Sequence, residues 1–289
     1  MRQRTKTKGA GGNGRNRGRT AAMLLLFTLI ALLIVTPVYA LFIASFKPGE
    51  LLLQYGLNLS LEIEKMGLGN YFLLFRGRHD YWIWFWNSML LTAVTVLLTL
   101  LVSSFVAYGF SAYEFRGRNF LFFIVLAIMS VPFEVVMLPL YKQMSDWKMM
   151  DSYTAVVLPF LAHASTIFFF RQYLLGMPAS LIEAGRIDGA SEYGIFFRLI
   201  IPIMKPAFAA MAILNGMNAW NNYMWPLLVI RSAEKYTLTL GLNTLINPYG
   251  DNYSLLIVGA FFSILPVFLL FVAFQRYFIE GMTAGAVKG

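Results

Sequence analysis

Few side chains in this sequence could carry out covalent or proton-transfer chemistry. Cysteine is absent, so neither a thiolate nucleophile nor a disulfide or thiolate metal site can form. The two histidines, His79 and His163, stand far apart, which argues against a His-based metal cluster. No Gly-Lys-Ser or Gly-Lys-Thr occurs, and the Gly-rich stretch 9–18 lacks the lysine and follows no strand, so no phosphate-cradling ATPase loop is present. A membrane enzyme would need converging His, Asp, Glu or Ser residues, and none assembles. What remains is binding chemistry. At 100° per residue, Asn215, Asn218, Asn222 and Trp225 share one helical face. Polar side chains facing lipid are costly, so that face looks inward. Its amides supply donors and acceptors either to a solute or to a neighbouring helix, and both readings stand. Glu134, preceded by Pro132, is an acid deep in an apolar run. An ionisable group there points to function: a proton site, a gate or a structural acceptor. A gating or structural role is the expectation. His163 reads as a hydrogen-bonded packing residue.

The elements that must position these residues are transmembrane helices. The chain has 289 residues, 58% hydrophobic and only 13% charged, against about 25% charged for a soluble domain. That leaves too little polar surface to cover a water-facing globule. Charge-poor runs long enough to span appear at 21–46, 87–112, 119–141, 151–171, 205–231 and 251–276. They are continuous apolar runs without period-two alternation, so helices are favoured over a barrel. Trp82, Trp84 and Trp86 read as an interfacial belt leading into the second span. The fold class is therefore an all-α membrane protein with six transmembrane helices. The expected organisation is a basic tail at 1–19, a first helix at 20–46, a loop at 47–81, a transmembrane domain at 82–278 and a C-terminal tail at 279–289.

Charge sets the orientation. No acid precedes Glu50, while Arg2, Arg4, Lys6, Lys8, Arg15, Arg17 and Arg19 crowd the start. Positive flanks stay in the cytoplasm, so the N-terminus and the C-terminal tail are expected inside. The tail reads as a topology anchor and a contact for membrane lipid. Nucleic acid is not an expected partner. The apolar run that follows is too long for a signal-peptide core.

The segment between the fourth and fifth spans, MPASLIEAGRIDGASEYGIFFRLIIP at 177–202, is long, charged and patterned. Pro178 suits a first helical turn. A short helix over 179–186 follows, with Leu181, Ile182 and Ala184 on an apolar side. Gly189 allows a tight turn and Ser191 is a good N-cap for a second helix. The result is a docking surface or, on architecture alone, a connecting loop lying on lipid.

The same segment resembles the EAA motif of ABC-importer permeases: E-A-A, three residues, G, nine residues, I, one residue, L-P. It falls on Glu183, Ala184, Gly185, Gly189, Leu199, Ile201 and Pro202 with the spacing kept throughout. Gly185 replaces Ala, at a cost of about 1 kcal/mol in helix propensity; Leu199 and Ile201 exchange one aliphatic for another. The stretch 186–191 (RIDGAS), the ending from Gln275 to Gly289, and Trp220-Asn221-Asn222 with Trp225-Pro226-Leu227 are similar to the carbohydrate-uptake, maltose-type branch. Gly56-Leu57-Asn58, Asn70-Tyr71 and Ser152-Tyr153-Thr154 bring it nearest to permeases of Gram-positive importers for arabinose and arabino-oligosaccharides.

That resemblance implies a type I importer permease in a bacterial inner membrane, a transport subunit and not an enzyme. It implies a sister permease, two cytoplasmic ATPase subunits carrying ATP and magnesium, and an extracytoplasmic solute-binding protein, with no cofactor on this chain. Glu183, Ala184, Gly185, Ile187, Asp188, Gly189 and Pro202 would couple to the ATPase, with Ile182 and Ile187 seated in its cleft. The asparagine amides would meet sugar hydroxyls and Trp225 would stack on a sugar ring. The competing reading is a stand-alone ion-coupled transporter, which predicts inverted repeats, interrupted helices and several buried acids.

Overall fold

A computed structural model describes residues 13–49, 51, 60, 63–76, 80–246 and 253–286. Most of the basic tail, His79 and Gly56-Leu57-Asn58 lie outside the described residues. Contacts divide the chain into two compact units, 1–75 with 249–261, and 76–248 with 262–289.

In the first unit, α1 (Asn13–Ser45) carries a charge-free run of leucines, phenylalanines and other apolar residues. Its spanning part, Gly18–Ser45, buries none of its most apolar window within the chain, as a helix facing lipid or another subunit does. Its C-terminal end is held by α2 (Gly69–Arg76). Asn70 Nδ2 donates to the carbonyls of Ser45 and Lys47 at 2.9 and 2.7 Å, satisfying acceptors that a helix end leaves open. Tyr71 and Ser45 share a hydroxyl hydrogen bond of 2.6 Å. The Asn70-Tyr71 pair therefore works as a cap for the first span.

In the second unit, α3 (Tyr81–Ala112) is the central rod. At 1.5 Å per residue it runs about 48 Å, more than the roughly 30 Å of hydrocarbon it must cross. Small buried residues at Thr99, Ser103 and Ala107 bring α7 (Ala164–Leu175) close against it. Around them Leu100, Tyr108, Phe170, Phe196, Met204 and Met211 form one buried cluster. A second cluster, with Leu91, Val156, Trp225, Val229 and Leu240, sits toward the other end of α3.

Among the described residues three helices are long and apolar enough to span, or up to six if each bent pair counts as one span. The third span is not continuous: α4 (Arg118–Met129) and α5 (Phe133–Asp146) meet at 102°. Pro132 lacks the amide a helix needs there and forces Val131 out of the helical region. The fourth is α6 (Tyr153–Phe160) bent 42° from α7. The fifth stops early: α10 (Lys205–Trp220) ends before Asn221, and the short α11 (Met224–Val229) follows. Interrupted helices thus occur here, so their presence does not single out an ion-coupled transporter. At the chain's end α13 (Tyr253–Ala286) stays helical through most of the expected C-terminal tail.

The tryptophan belt needs correction. Trp86 is well exposed, but Trp84 is buried. Its Nε1 donates to the Ala233 carbonyl at 3.0 Å. The described residues that follow the fifth span include α12 (Leu238–Thr244), whose backbone presses on Trp84. Leu238 N donates to Ser88 Oγ at 2.7 Å and Asn87 Nδ2 donates to the carbonyls of Glu234 and Tyr236, which fixes that segment to α3. Asp151 tightens the same corner by accepting from the Arg231 and Ser232 amides, the Ser232 hydroxyl and Lys235 Nζ. Those donors, Ser232 first, hold its carboxyl far below the usual range. A Cβ on Gly241 would fall 2.1 Å from the Trp84 indole. Gly241→Ala is therefore expected to lower the thermal midpoint in detergent, with a loss of about 1–3 kcal/mol typical of overpacking. A double-mutant cycle with Trp84→Phe should show coupling; additive effects would place the strain elsewhere.

Candidate functional site

Two sites emerge in the second unit, one at each region that the sequence singled out. The first is the patterned loop. Its first helix, α8, runs Ser180–Ile187. It ends in a Schellman turn: Ala190 N donates to the Gly185 carbonyl and Gly189 N to the Arg186 carbonyl, both at 3.0 Å. Gly189 occupies the left-handed position that this turn needs, with φ of 75°. Ser191 then caps α9 (Glu192–Ile203, with a π turn at 196–200), accepting from Gly194 N at 3.1 Å. Pro202 lies in the last turn of α9, before the 77° bend into α10.

Gly185 also has a packing reason. A Cβ there would meet Ile195 Cγ1 at 3.0 Å, so the missing methyl lets the two helices close on each other. Ile182 is half-buried against the cluster that contains Ile195, so only part of its side chain is open to a partner. Ile187 points outward at 85% exposure and Tyr193 joins it at 73%. Glu183, Ala184, Asp188 and Gly189 are exposed too. Glu183 has no side-chain partner among the described residues. Beside the turn lies an open groove of about 870 Å³, lined by Gly185, Asp188, Ser191, Tyr193, Phe197 and Arg198 among others.

A residue that sequence reasoning missed ties this loop to the rod. Glu192 accepts from Arg186 Nε at 2.7 Å, Tyr113 OH at 2.6 Å and Tyr108 OH at 3.0 Å. Arg186 first, then the Tyr113 hydroxyl, pulls its carboxyl down to about 2, so the clasp is charged throughout the neutral range. An exposed ion pair of this kind adds little to stability. Its value is geometric: one carboxylate joins α8, α9 and the end of α3. The acid right after the Ser191 cap was its only sequence signal.

The second site is a cavity of about 410 Å³. Glu134, Asn215, Asn218 and Asn222 all line it, together with His163 and Asn221. Ser88, Thr95 and Thr99 line it from α3; their spacing of seven and eleven residues from Ser88 was a legible helical stripe. Asn215 is largely spoken for: Nδ2 donates to Thr166 Oγ1 at 3.1 Å and to the Met211 carbonyl at 2.8 Å. His163 Nδ1 lies 2.8 Å from Ser165 Oγ in a hydrogen bond. Asn218 is exposed and makes no side-chain hydrogen bond among the described residues. Trp225 is not in the cavity wall. It is fully buried and donates Nε1 to the Ala155 carbonyl at 2.9 Å. The helical wheel that put it beside Asn222 assumed a continuous helix, and the helix breaks at Asn221.

Similarity to known proteins agrees with this architecture. Residues 100–283 match the family described as "Binding-protein-dependent transport system inner membrane component". The chain is 50% identical to the arabinooligosaccharides transport system permease protein AraQ of Bacillus subtilis over 93% of its length and 95% of the relative's. It is 48% identical to AraQ of Halalkalibacterium halodurans, over 91% and 94% of the two chains. The lactose transport system permease protein LacG of Rhizobium radiobacter is 38% identical over 71% and 74%. Among solved structures, a chain of a bacterial ABC transporter involved in import of the acidic polysaccharide alginate superposes with a TM-score of 0.78 at 25% identity, covering 94% of this chain and all of that one. With its helical spans, its motif loop and these relatives, the chain belongs to the family of inner-membrane permease components of binding-protein-dependent ABC transport systems.

Proposed function

We propose that this chain is one of two permease subunits of an ATP-driven oligosaccharide importer, and that it converts ATPase closure into alternating access. The observation that carries the coupling role is the helix–turn–helix at 180–203, which leaves Glu183 and Ile187 outward and bare. Glu183 would meet basic or polar groups of an ATPase, and Ile187 with Tyr193 would fill its apolar cleft. Movement of α8 would pass through Arg186 and Glu192 to Tyr108 and Tyr113, and so to α3. The partners on this reading are a sister permease, two ATPases that hold ATP and magnesium, and an extracytoplasmic binding protein. The basic tail supports a cytoplasmic N-terminus and, with it, a cytoplasmic loop.

The two relatives named for arabinooligosaccharides, at 50% and 48% identity, support an arabinose-containing oligosaccharide as solute. The polar cavity, with unengaged amides at Asn218 and Asn222 Nδ2, is this chain's share of the path. Glu134 stands in its wall as a gating or structural group.

Three tests follow from this reading. Glu183→Lys and Gly189→Val should each cut ATP-dependent sugar uptake by about tenfold or more with the chain still in the membrane. The valine is forced into a left-handed conformation costing about 1–2 kcal/mol. Full uptake in both would remove the docking role. Glu192→Gln should leave the complex assembled and able to hydrolyse ATP, but with uptake per ATP reduced severalfold; an unchanged ratio would mean that force travels by another route. Asn218→Leu and Asn222→Leu should reduce uptake about three- to tenfold, the worth of a lost hydrogen bond, with assembly intact. Lost assembly with unchanged sugar selectivity would assign these amides to helix packing instead.

A further inference from the structure

The charge of the cavity bears on which solutes it admits. Among the described residues, its wall carries amides, hydroxyls, an imidazole and apolar groups, one carboxylate and no lysine or arginine. That carboxylate, Glu134, is exposed in the first turn of α5, and no hydrogen bond or ion pair engages its side chain among the described residues. His163, also in the wall, is turned toward Ser165 and Thr166.

We propose that Glu134 is a charge-selecting residue: it keeps the cavity negative, so that neutral oligosaccharides are accepted and uronate-bearing ones are repelled. The proposal rests on the cavity being the solute path. At about 410 Å³ the space is at the small end of ligand pockets. A second carboxylate inside it lies within about 10 Å of Glu134. Two like charges that close, at an effective dielectric near 20, change occupancy by about tenfold or more. No cation in the wall offsets this. A neutral sugar meets the opposite situation, because its hydroxyls can donate to Glu134 in charge-assisted hydrogen bonds. The fold does not set this preference, since the structure that shares it comes from an importer of an acidic polysaccharide. The preference therefore belongs to side chains.

The test measures direct binding to the assembled transporter in detergent, without the binding protein, so that delivery does not mask the cavity's choice. Three probes are compared: arabinotriose, an aldotriouronic acid, and the methyl ester of that acid, which keeps its shape and lacks its charge. The wild-type complex should prefer arabinotriose over the acid by about tenfold or more, and the ester should recover most of that loss. In Glu134→Gln the ester-to-acid ratio should fall to within about threefold, whatever the absolute affinity, while Glu134→Asp keeps it high. Equal binding of acid and ester to the wild type overturns the proposal, and this comparison stands even if a variant fails to assemble. A ratio unmoved by Glu134→Gln overturns it as well. If none of the three probes binds the wild-type complex, the cavity is not the path, and the reading beneath the proposal falls with it.

Discussion

Inside a bilayer a backbone amide or carbonyl that leaves its helix has no water to turn to, and each unsatisfied group costs several kcal/mol. This chain leaves helical structure within its spans at 130–132, 161–163 and 221–223, and residues in or beside those breaks, Phe133, Glu134, Phe160, His163, Asn222 and Tyr223, line the cavity. Side chains supply the missing partners. Thr99 Oγ1 donates to the Phe160 carbonyl at 2.8 Å, Thr239 Oγ1 to the Asn222 carbonyl at 3.1 Å, and Asn222 Oδ1 accepts from Trp225 N at 3.4 Å. Irregular backbone is tolerated here because it faces a polar space and is tied to neighbours. The cavity and the breaks are two aspects of one arrangement.

The rod α3 connects that arrangement to the loop. Near one end Trp84, Asn87 and Ser88 hold the segment 233–238. In its middle Thr99 holds the break of the fourth span. At its other end Tyr108 and Tyr113 meet Glu192. From Ser88 to Tyr108 is about 30 Å of continuous helix. The loop contact and the cavity wall therefore share one continuous helix, with no break in its ladder between them. The rod's own residues contribute to that wall at Ser88, Thr95 and Thr99.

The loop was readable because its structure is local. The proline, the glycine at a left-handed position and the serine cap act within a few residues of themselves, and the structure puts α8 and α9 within one residue of where those signals set them. The spans were readable as apolar runs for a similar reason, since hydropathy sums over a window. The same sum cannot detect a bend: 119–141 reads as one apolar run despite Glu134, yet Pro132 turns it by 102°. Helical wheels fail for a related reason. Asn215 and Asn218 lie on one unbroken helix and reach the cavity together, but the face was extended across Asn221, where the helix stops, and Trp225 turned into the core. Trp84 was read as outward because it is apolar on an accessible element; Gly241, distant in sequence, buried it, and Ile182 is half-buried against the cluster that contains Ile195.

The sequence by itself determined a helical membrane chain, the family to which its motif loop belongs, and the local turn that makes that loop. Composition and short-range capping are enough for those, because they depend on transfer free energies and neighbouring dihedrals. Only the tertiary structure decided that Glu192 clasps the loop to α3, that three helix breaks gather around one cavity, and that Glu134 stands in it without an opposing charge. Each of those depends on which distant residues face each other, and that is set by packing across the bundle and not by any window of the chain.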